Sequence, residues 1–249
     1  MNNPETRLVE QLTALKLASV REHYASLATE AAHTQWSHVD YLVRLIEIEA
    51  LRRQDLCIQR RIAAARFPCI KTLDQFDWNW PKKINRTQIQ NLFRLAFLPD
   101  KTNVIFMGGV GLGKSHLASA LAYTACQAGH SVLFTTAVDI INVLTAAQAA
   151  CRLKTELKRF LAPRILCIDE LGYLPIDKTG ADLLFQVISQ RYERGSTILT
   201  TNQAYKHWAK IFNNDSTLTS AVLDRLLHHA ETVIIEGKSY RTKDQIEAP

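Results

Sequence analysis

The sequence predicts an α/β fold, a parallel sheet with helices on both faces, preceded by a small all-helical domain. Three observations carry this reading. Apolar runs near 103–107, 131–135, 164–168, 196–201 and 231–235 alternate with helical patterns, the order expected when crossover helices join parallel strands. Residues 1–70 show helical spacing alone, and a glycine-rich loop joins the first apolar run to the helical pattern after it.

At the amino end, Leu8, Leu12 and Leu15 recur at helical spacing. A longer helix is expected from Ser37, with Asp40 three residues on as its capping-box partner, and it continues through Val39, Leu42, Val43, Ile46 and Ala50. Arg52, Arg53, Arg60, Arg61 and Arg66 follow, and Pro68 ends the pattern. Residues 1–70 are therefore expected to form a helical domain that meets a partner or DNA, 71–101 a linker, and 102–249 the sheet domain. Within the linker Phe76, Trp78 and Trp80 stand among polar residues; such rings can stack on bases, but burial between domains is the expected fate.

In the sheet domain, Val104-Ile105-Phe106-Met107 leads into Gly108-Gly109-Val110-Gly111-Leu112-Gly113-Lys114-Ser115, which holds four of the chain's nine glycines. Leu117, Ala118, Leu121, Ala122 and Ala125 then mark a helix expected to stop near Gly129. The loop matches G-x-x-x-x-G-K-[ST] between a strand and a helix, the setting in which that motif cradles phosphate. A triphosphate needs backbone N–H groups very close to its oxygens, and side chains at the glycine positions would block them. Lys114 would reach the outer phosphates, Ser115 would offer its hydroxyl to Mg2+, and the helix N-terminus would face the anion. The nucleotide-contacting run is expected to extend to His116.

Arg164 to Ile168 reads as a buried strand closed by Asp169 and Glu170. Asp169 could hold the magnesium while Glu170 polarises the attacking water. The next strand, 196–201, ends in Asn202, a candidate sensor of the outer phosphate or of that water. A helix after Asp177 has Thr179 and Asp182 as its start signal and Leu183, Leu184, Val187 and Ile188 as its core face. A later helix, 218–227, presents Leu218, Val222, Leu223, Leu226 and Leu227 on one face with Arg225 beside it. In an oligomeric ATPase such an arginine can enter the neighbour's site and neutralise charge on the outer phosphate.

Composition bounds the rest. A hydrophobic content of 47% suits a globular chain, and no apolar stretch approaches the roughly eighteen residues of a membrane span. Met1-Asn2-Asn3-Pro4-Glu5 lacks the basic and apolar regions of a secretory signal, so a cytoplasmic location and no membrane contact are expected. The five cysteines form no C-x-x-C pair and are expected to be reduced. His228 and His229 are adjacent, which on a helix would turn them to different sides and keep them from sharing a metal.

The net charge of +6 is uneven. Residues 71–101 hold six basic against three acidic side chains, whereas 1–70 are nearly balanced at nine against eight, so any polyanion contact is not spread evenly. A further basic cluster comprises Arg152, Lys154, Lys158, Arg159 and Arg164, with Glu156 the one acid within it. These are candidate contacts to a phosphate backbone.

The stretches 108–118, 168–175 (Ile-Asp-Glu-Leu-Gly-Tyr-Leu-Pro), 183–194 and 223–230 (Leu-Asp-Arg-Leu-Leu-His-His-Ala) together make the chain resemble the IstB family of transposition helper ATPases, over nearly its whole length. It also looks related to bacterial helicase loaders. The resemblance implies an AAA+ fold, ATP and Mg2+ as cofactors, a homo-oligomer with ATP sites at subunit interfaces, assembly on double-stranded DNA, and a partner transposase that itself cuts and joins strands. It matches Lys114 and Ser115 to Walker A, Asp169 and Glu170 to Walker B, Asn202 to sensor 1 and Arg225 to the trans-acting arginine. By the same resemblance, Arg152, Lys154, Lys158 and Arg159 fall where initiator-type relatives insert a DNA-contacting helix. No separate helical lid is expected after Ser239-Tyr240-Arg241, which removes the usual setting for a sensor arginine at Arg241. The alternatives are a replicative helicase loader with the same ATP site, a clamp that binds ATP without turning it over, and a metabolic kinase.

Overall fold

Five parallel strands, β1 (Asn103–Gly108), β2 (Val132–Thr136), β3 (Ile165–Leu171), β4 (Ser196–Thr201) and β5 (Ala230–Ile235), form one sheet in the order β2-β3-β4-β1-β5. These elements come from a computed structural model, in which residues 3–242 of the chain are described. The helices are α1 (Pro4–Ala14), α2 (Ala18–Thr34), α3 (His38–Ala65), α4 (Arg86–Leu92), α5 (Lys114–Gln127), α6 (Ala137–Ala149), α7 (Leu153–Leu161), α8 (Lys178–Arg191), α9 (Trp208–Ile211) and α10 (Ser216–Leu227). None is long and apolar enough to cross a membrane.

The strands alternate between two cores because successive side chains leave a strand on opposite faces. Val104, Phe106, Cys167, Ile198 and Val233 join α5 in one core, whereas Ile105, Leu166, Ile168 and Leu199 join α6, α8 and α10 in the other. The chain divides into two compact units, Met1–Arg60 and Arg61–Pro249, so the division falls about ten residues, nearly three helical turns, before the expected boundary at residue 70. Residues 71–101 are not a free linker. Phe76, Ile89, Leu92, Phe97 and Leu98 are buried in the first core, where they cover the sheet face that α5 leaves open. The aromatic residues of this segment accordingly pack within the second unit. Phe76 meets Trp78 edge-on at 5.1 Å, and Trp78 carries the Arg86 guanidinium 4.9 Å from its ring centroid.

In the first unit, Ser37 and Asp40 make the expected capping box at the start of α3: the Asp40 amide donates to Ser37 Oγ at 3.1 Å and the Ser37 amide to Asp40 Oδ2 at 3.3 Å. The inward face of α3 is not the one that periodicity picks out. Leu45 is buried with Leu12 and Val20, while Val39, Leu42, Val43 and Ile46 are exposed. Glu49, also buried, accepts the Ser19 amide at 2.9 Å and so caps α2, whose own N-cap residue supplies no side-chain bond. Burial pushes the Glu49 carboxyl up, but the Ser19 and Val20 amides and Arg53 outweigh it and hold the group below the usual carboxylate range. That contribution to stability is present above the unfolded carboxylate pKa and is lost as pH falls through the lowered folded value.

The cap of α8 is Asp177, two residues before Thr179, which accepts the Gly180 amide at 3.0 Å. At its other end Arg191 is 3% exposed and donates to the carbonyls of Phe160, Pro163 and Ser196 at 3.0, 3.0 and 2.7 Å. Burial pulls its pKa down to about 10, which leaves it charged at neutral pH. It thereby satisfies the carbonyls that α7 leaves open at its C-terminal end. Arg191→Met is expected to cost about 3 kcal/mol, since it strands several buried carbonyls. Arg191→Lys should recover only part, lacking the planar fork. Denaturant unfolding checks both, and a loss below about 1 kcal/mol for Arg191→Met would show that the carbonyls find other donors.

His228 and His229 contradict the expectation that they diverge: their ring centroids are 4.1 Å apart. α10 has already ended at Leu227, so the helical splay of neighbouring side chains does not apply to them.

Candidate functional site

β1 delivers the glycine loop to the carboxyl edge of the sheet, where ligand sites of open α/β sheets form. Gly111 and Gly113 take φ of 74° and 83°, a region that side-chain-bearing residues rarely adopt. Space demands glycine as well: a Cβ at Gly113 would lie 2.6 Å from the Phe76 ring, and one at Gly111 2.0 Å from Ser239 Oγ. Lys114 opens α5 and is buried, with its ammonium donating to Gly109 O at 2.6 Å. Burial lowers its pKa, Asp169 and Glu170 oppose that shift, and Arg241 adds to it. Ser115 Oγ donates to Asp169 Oδ1 at 2.9 Å. A hydroxyl and a carboxylate so close together are the hard oxygen donors that suit Mg2+.

The two acids differ because the chain is irregular between them. The β3–β4 register slips between Ile168 and Leu171, and Glu170 has φ 61°. A bulge of this kind re-aims side chains. Asp169 is buried at the sheet edge, and Glu170 projects into the open cavity beside it. That cavity, about 610 Å³, gathers Gly111 to His116 with Asp169 and Glu170. Gly108, Gly109 and Val110 precede these in the loop, and Val110 is exposed at its tip. His116 is half-buried, with its Nε2 2.8 Å from Thr72 O and its ring 5.5 Å from Phe76.

Sequence reasoning missed Thr200. Its hydroxyl donates to Asp169 Oδ1 and accepts the Glu170 amide at 3.0 Å, tying both acids to β4. It lines the cavity, and Asn202 does not. Asn202 Oδ1 is nevertheless buried without a partner among the described residues, the condition of an amide that a ligand or water would complete. Phe76, Trp80, Tyr240 and Arg241 also line the cavity. The Tyr240 amide donates to Gly111 O at 2.8 Å and Trp80 Nε1 to Lys238 O at 2.9 Å, which seats two segments far apart in sequence on the loop. A polar residue just before the end of a strand was the one available signal for Thr200. Thr200→Val is expected to leave nucleotide binding nearly unchanged and to lower ATP turnover about 10- to 100-fold, while Thr200→Ser retains it. Steady-state kcat and KM separate this positioning effect from weaker binding.

Arg225 lies elsewhere. Its guanidinium stacks 5.1 Å from the Phe185 ring centroid and donates to Ala221 O at 2.9 Å. It borders a small cavity with Asp100, Lys101 and Asn103, at the end of β1 opposite to the glycine loop. The six residues of β1 place these two ends roughly 17 Å apart. The chain therefore does not bring its own Arg225 to its own Lys114. Of the basic cluster, Lys154, Lys158 and Arg159 are exposed on α7 opposite the buried Leu157 and Phe160, and Arg152 is exposed just before it. Arg164 instead donates to Leu98 O at 3.0 Å.

The profile described as IstB-like ATP binding protein matches residues 10–248. A Bacillus thuringiensis protein named as an ATP-binding protein of insertion sequence IS232 is 38% identical over 98% of this chain and 97% of its own length. Its Pseudomonas aeruginosa counterpart from IS21 is 38% identical over 95% of this chain and 89% of its own. Among solved structures, the DnaC helicase loader aligns with a TM-score of 0.54 at 22% identity, covering 66% of this chain and 96% of the loader. AMPPCP-bound DnaA from Aquifex aeolicus aligns with a TM-score of 0.55 at 18% identity, covering 70% of this chain and 52% of that one. These structural likenesses show a shared fold.

Proposed function

This chain belongs to the IstB-like ATP-binding proteins of insertion sequences, and from that premise we propose that it is an ATPase that assembles on double-stranded DNA and assists a partner transposase. One observation carries the reading. Lys114, Ser115, Asp169 and Glu170 share a cavity, while Arg225 sits at the far edge of the same sheet. In this reading Lys114 holds the outer phosphates, and Ser115 and Asp169 hold Mg2+. Glu170 accepts a proton from the attacking water. Arg225 of a neighbouring copy neutralises the charge that builds on the outer phosphate, so the complete site exists only between subunits. Turnover removes the bridging charge and loosens the assembly, which makes hydrolysis a timer for the grip on DNA.

The exposed basic residues Arg152, Lys154, Lys158 and Arg159 are assigned to the DNA backbone. Contacts of that kind give weak sequence preference and affinity that falls steeply with salt, with a logarithmic slope of about −0.9 per phosphate neutralised. Phosphate release with and without duplex DNA, together with sizing in a non-hydrolysable ATP analogue, tests the proposal. DNA-stimulated release and nucleotide-dependent assembly support it. A chain that stays monomeric and does not respond to duplex DNA sinks it.

A further inference from the structure

We propose that Glu193, His228 and His229 form a transition-metal site, best suited to Zn2+, where the end of α8 meets the α10–β5 connection. One ligand atom from each of the three residues lies within 4.8 Å of the other two. The backbone explains how neighbours in sequence converge. His228 is the cap residue of α10 and β5 begins at Ala230, so His229 lies in the turn between them and its ring folds back to 4.1 Å from that of His228. Glu193 follows the cap residue of α8 with φ 56°, a left-handed turn that reverses the chain at this point.

A fourth group steadies the cluster. The Tyr192 hydroxyl is 2.9 Å from Nδ1 of His228, with the two rings 5.8 Å apart, and fixes the orientation of that imidazole. Such outer contacts orient metal-binding histidines in known sites.

Two imidazoles and one carboxylate are the donor set of open zinc sites, which keep a further position for water or a group from another molecule. Imidazole disfavours Mg2+ and Ca2+, so this site and the Ser115–Asp169 pair select different ions. Ligand atoms about 2.1 Å from zinc stand roughly 3.4 Å apart in tetrahedral geometry. All three side chains are exposed and so free to rotate to close the present spacing. A bound ion would pin α8 to the end of α10, within a turn of Arg225. The site shares no residue with the cavity around Lys114, but Glu193 and His229 line the small cavity that Arg225 borders, so the test is run without nucleotide.

The test uses the full chain without a histidine tag, stripped by chelator and free of nucleotide, titrated calorimetrically with Zn2+. One equivalent should bind, and His228→Ala and His229→Ala should each weaken binding at least about tenfold. Zinc should raise the Tm of the parent and not that of the double variant, since an ion that binds the folded state alone stabilises it. Co2+ should give a visible spectrum of nitrogen and oxygen ligands. No binding, binding unchanged in the double variant, or a thiolate charge-transfer band from Cys57, Cys69 or Cys151 would each overturn the proposal.

Discussion

Arg225→Ala is expected to keep nucleotide binding and to lose DNA-stimulated ATP turnover by on the order of 10³ to 10⁵. The asymmetry follows from position. Arg225 is held on α10 by Phe185 and by the Ala221 carbonyl, at the opposite end of β1 from the glycine loop, so its removal leaves the chain's own phosphate cradle intact. The transition state, in which charge moves onto the outer phosphate, then lacks its neutralising partner from the adjacent copy. Mixing supplies the decisive measurement. Arg225→Ala and Lys114→Ala are each expected to be inactive alone, yet mixed oligomers contain interfaces that pair an intact Lys114 with an intact Arg225. Recovery of phosphate release on mixing is the expected result, and no recovery would count against action across an interface.

Glu170→Gln should lower turnover by about 10² to 10⁴ while retaining ATP and DNA binding. The substitution removes the proton acceptor and keeps the shape of the side chain. Because Glu170 is exposed and the hydrogen bond from its backbone amide to the Thr200 hydroxyl stays, stability should scarcely change. The variant is therefore expected to accumulate in the assembled state on DNA, visible as slow dissociation once ATP is supplied. A variant that hydrolyses ATP as fast as the parent would remove Glu170 from the chemistry and leave the timer without a mechanism.

The glycine loop, the five strands and the Ser37 capping box were legible in the amino-acid string because each is encoded locally. A period of two or of 3.6 residues, a glycine spacing and a cap signal need no knowledge of distant residues. The candidate site was half legible for the same reason: Lys114 and Ser115 close a readable glycine loop, and Asp169 and Glu170 close a readable strand. What periodicity cannot tell is which partner an apolar or polar face will meet. Periodicity alone does not find the inward face of α3, because Leu45 and Glu49 are chosen by what α1 and α2 present to them. Residues 71–101 read as a linker, since short apolar clusters carry no sign of the sheet face they cover.

Thr200, the remoteness of Arg225 and the convergence of His228 with Glu193 were likewise tertiary decisions. Thr200 matters through a bulge at Asp169–Glu170 that no sequence period reveals. Arg225 and Lys114 belong to opposite ends of the sheet because β1 runs between them. Local patterns thus determined the elements and the chemistry that their ends could carry. Only the packing of distant segments decided which of those ends share a cavity, because contact energy depends on neighbours in space and the chain specifies them collectively.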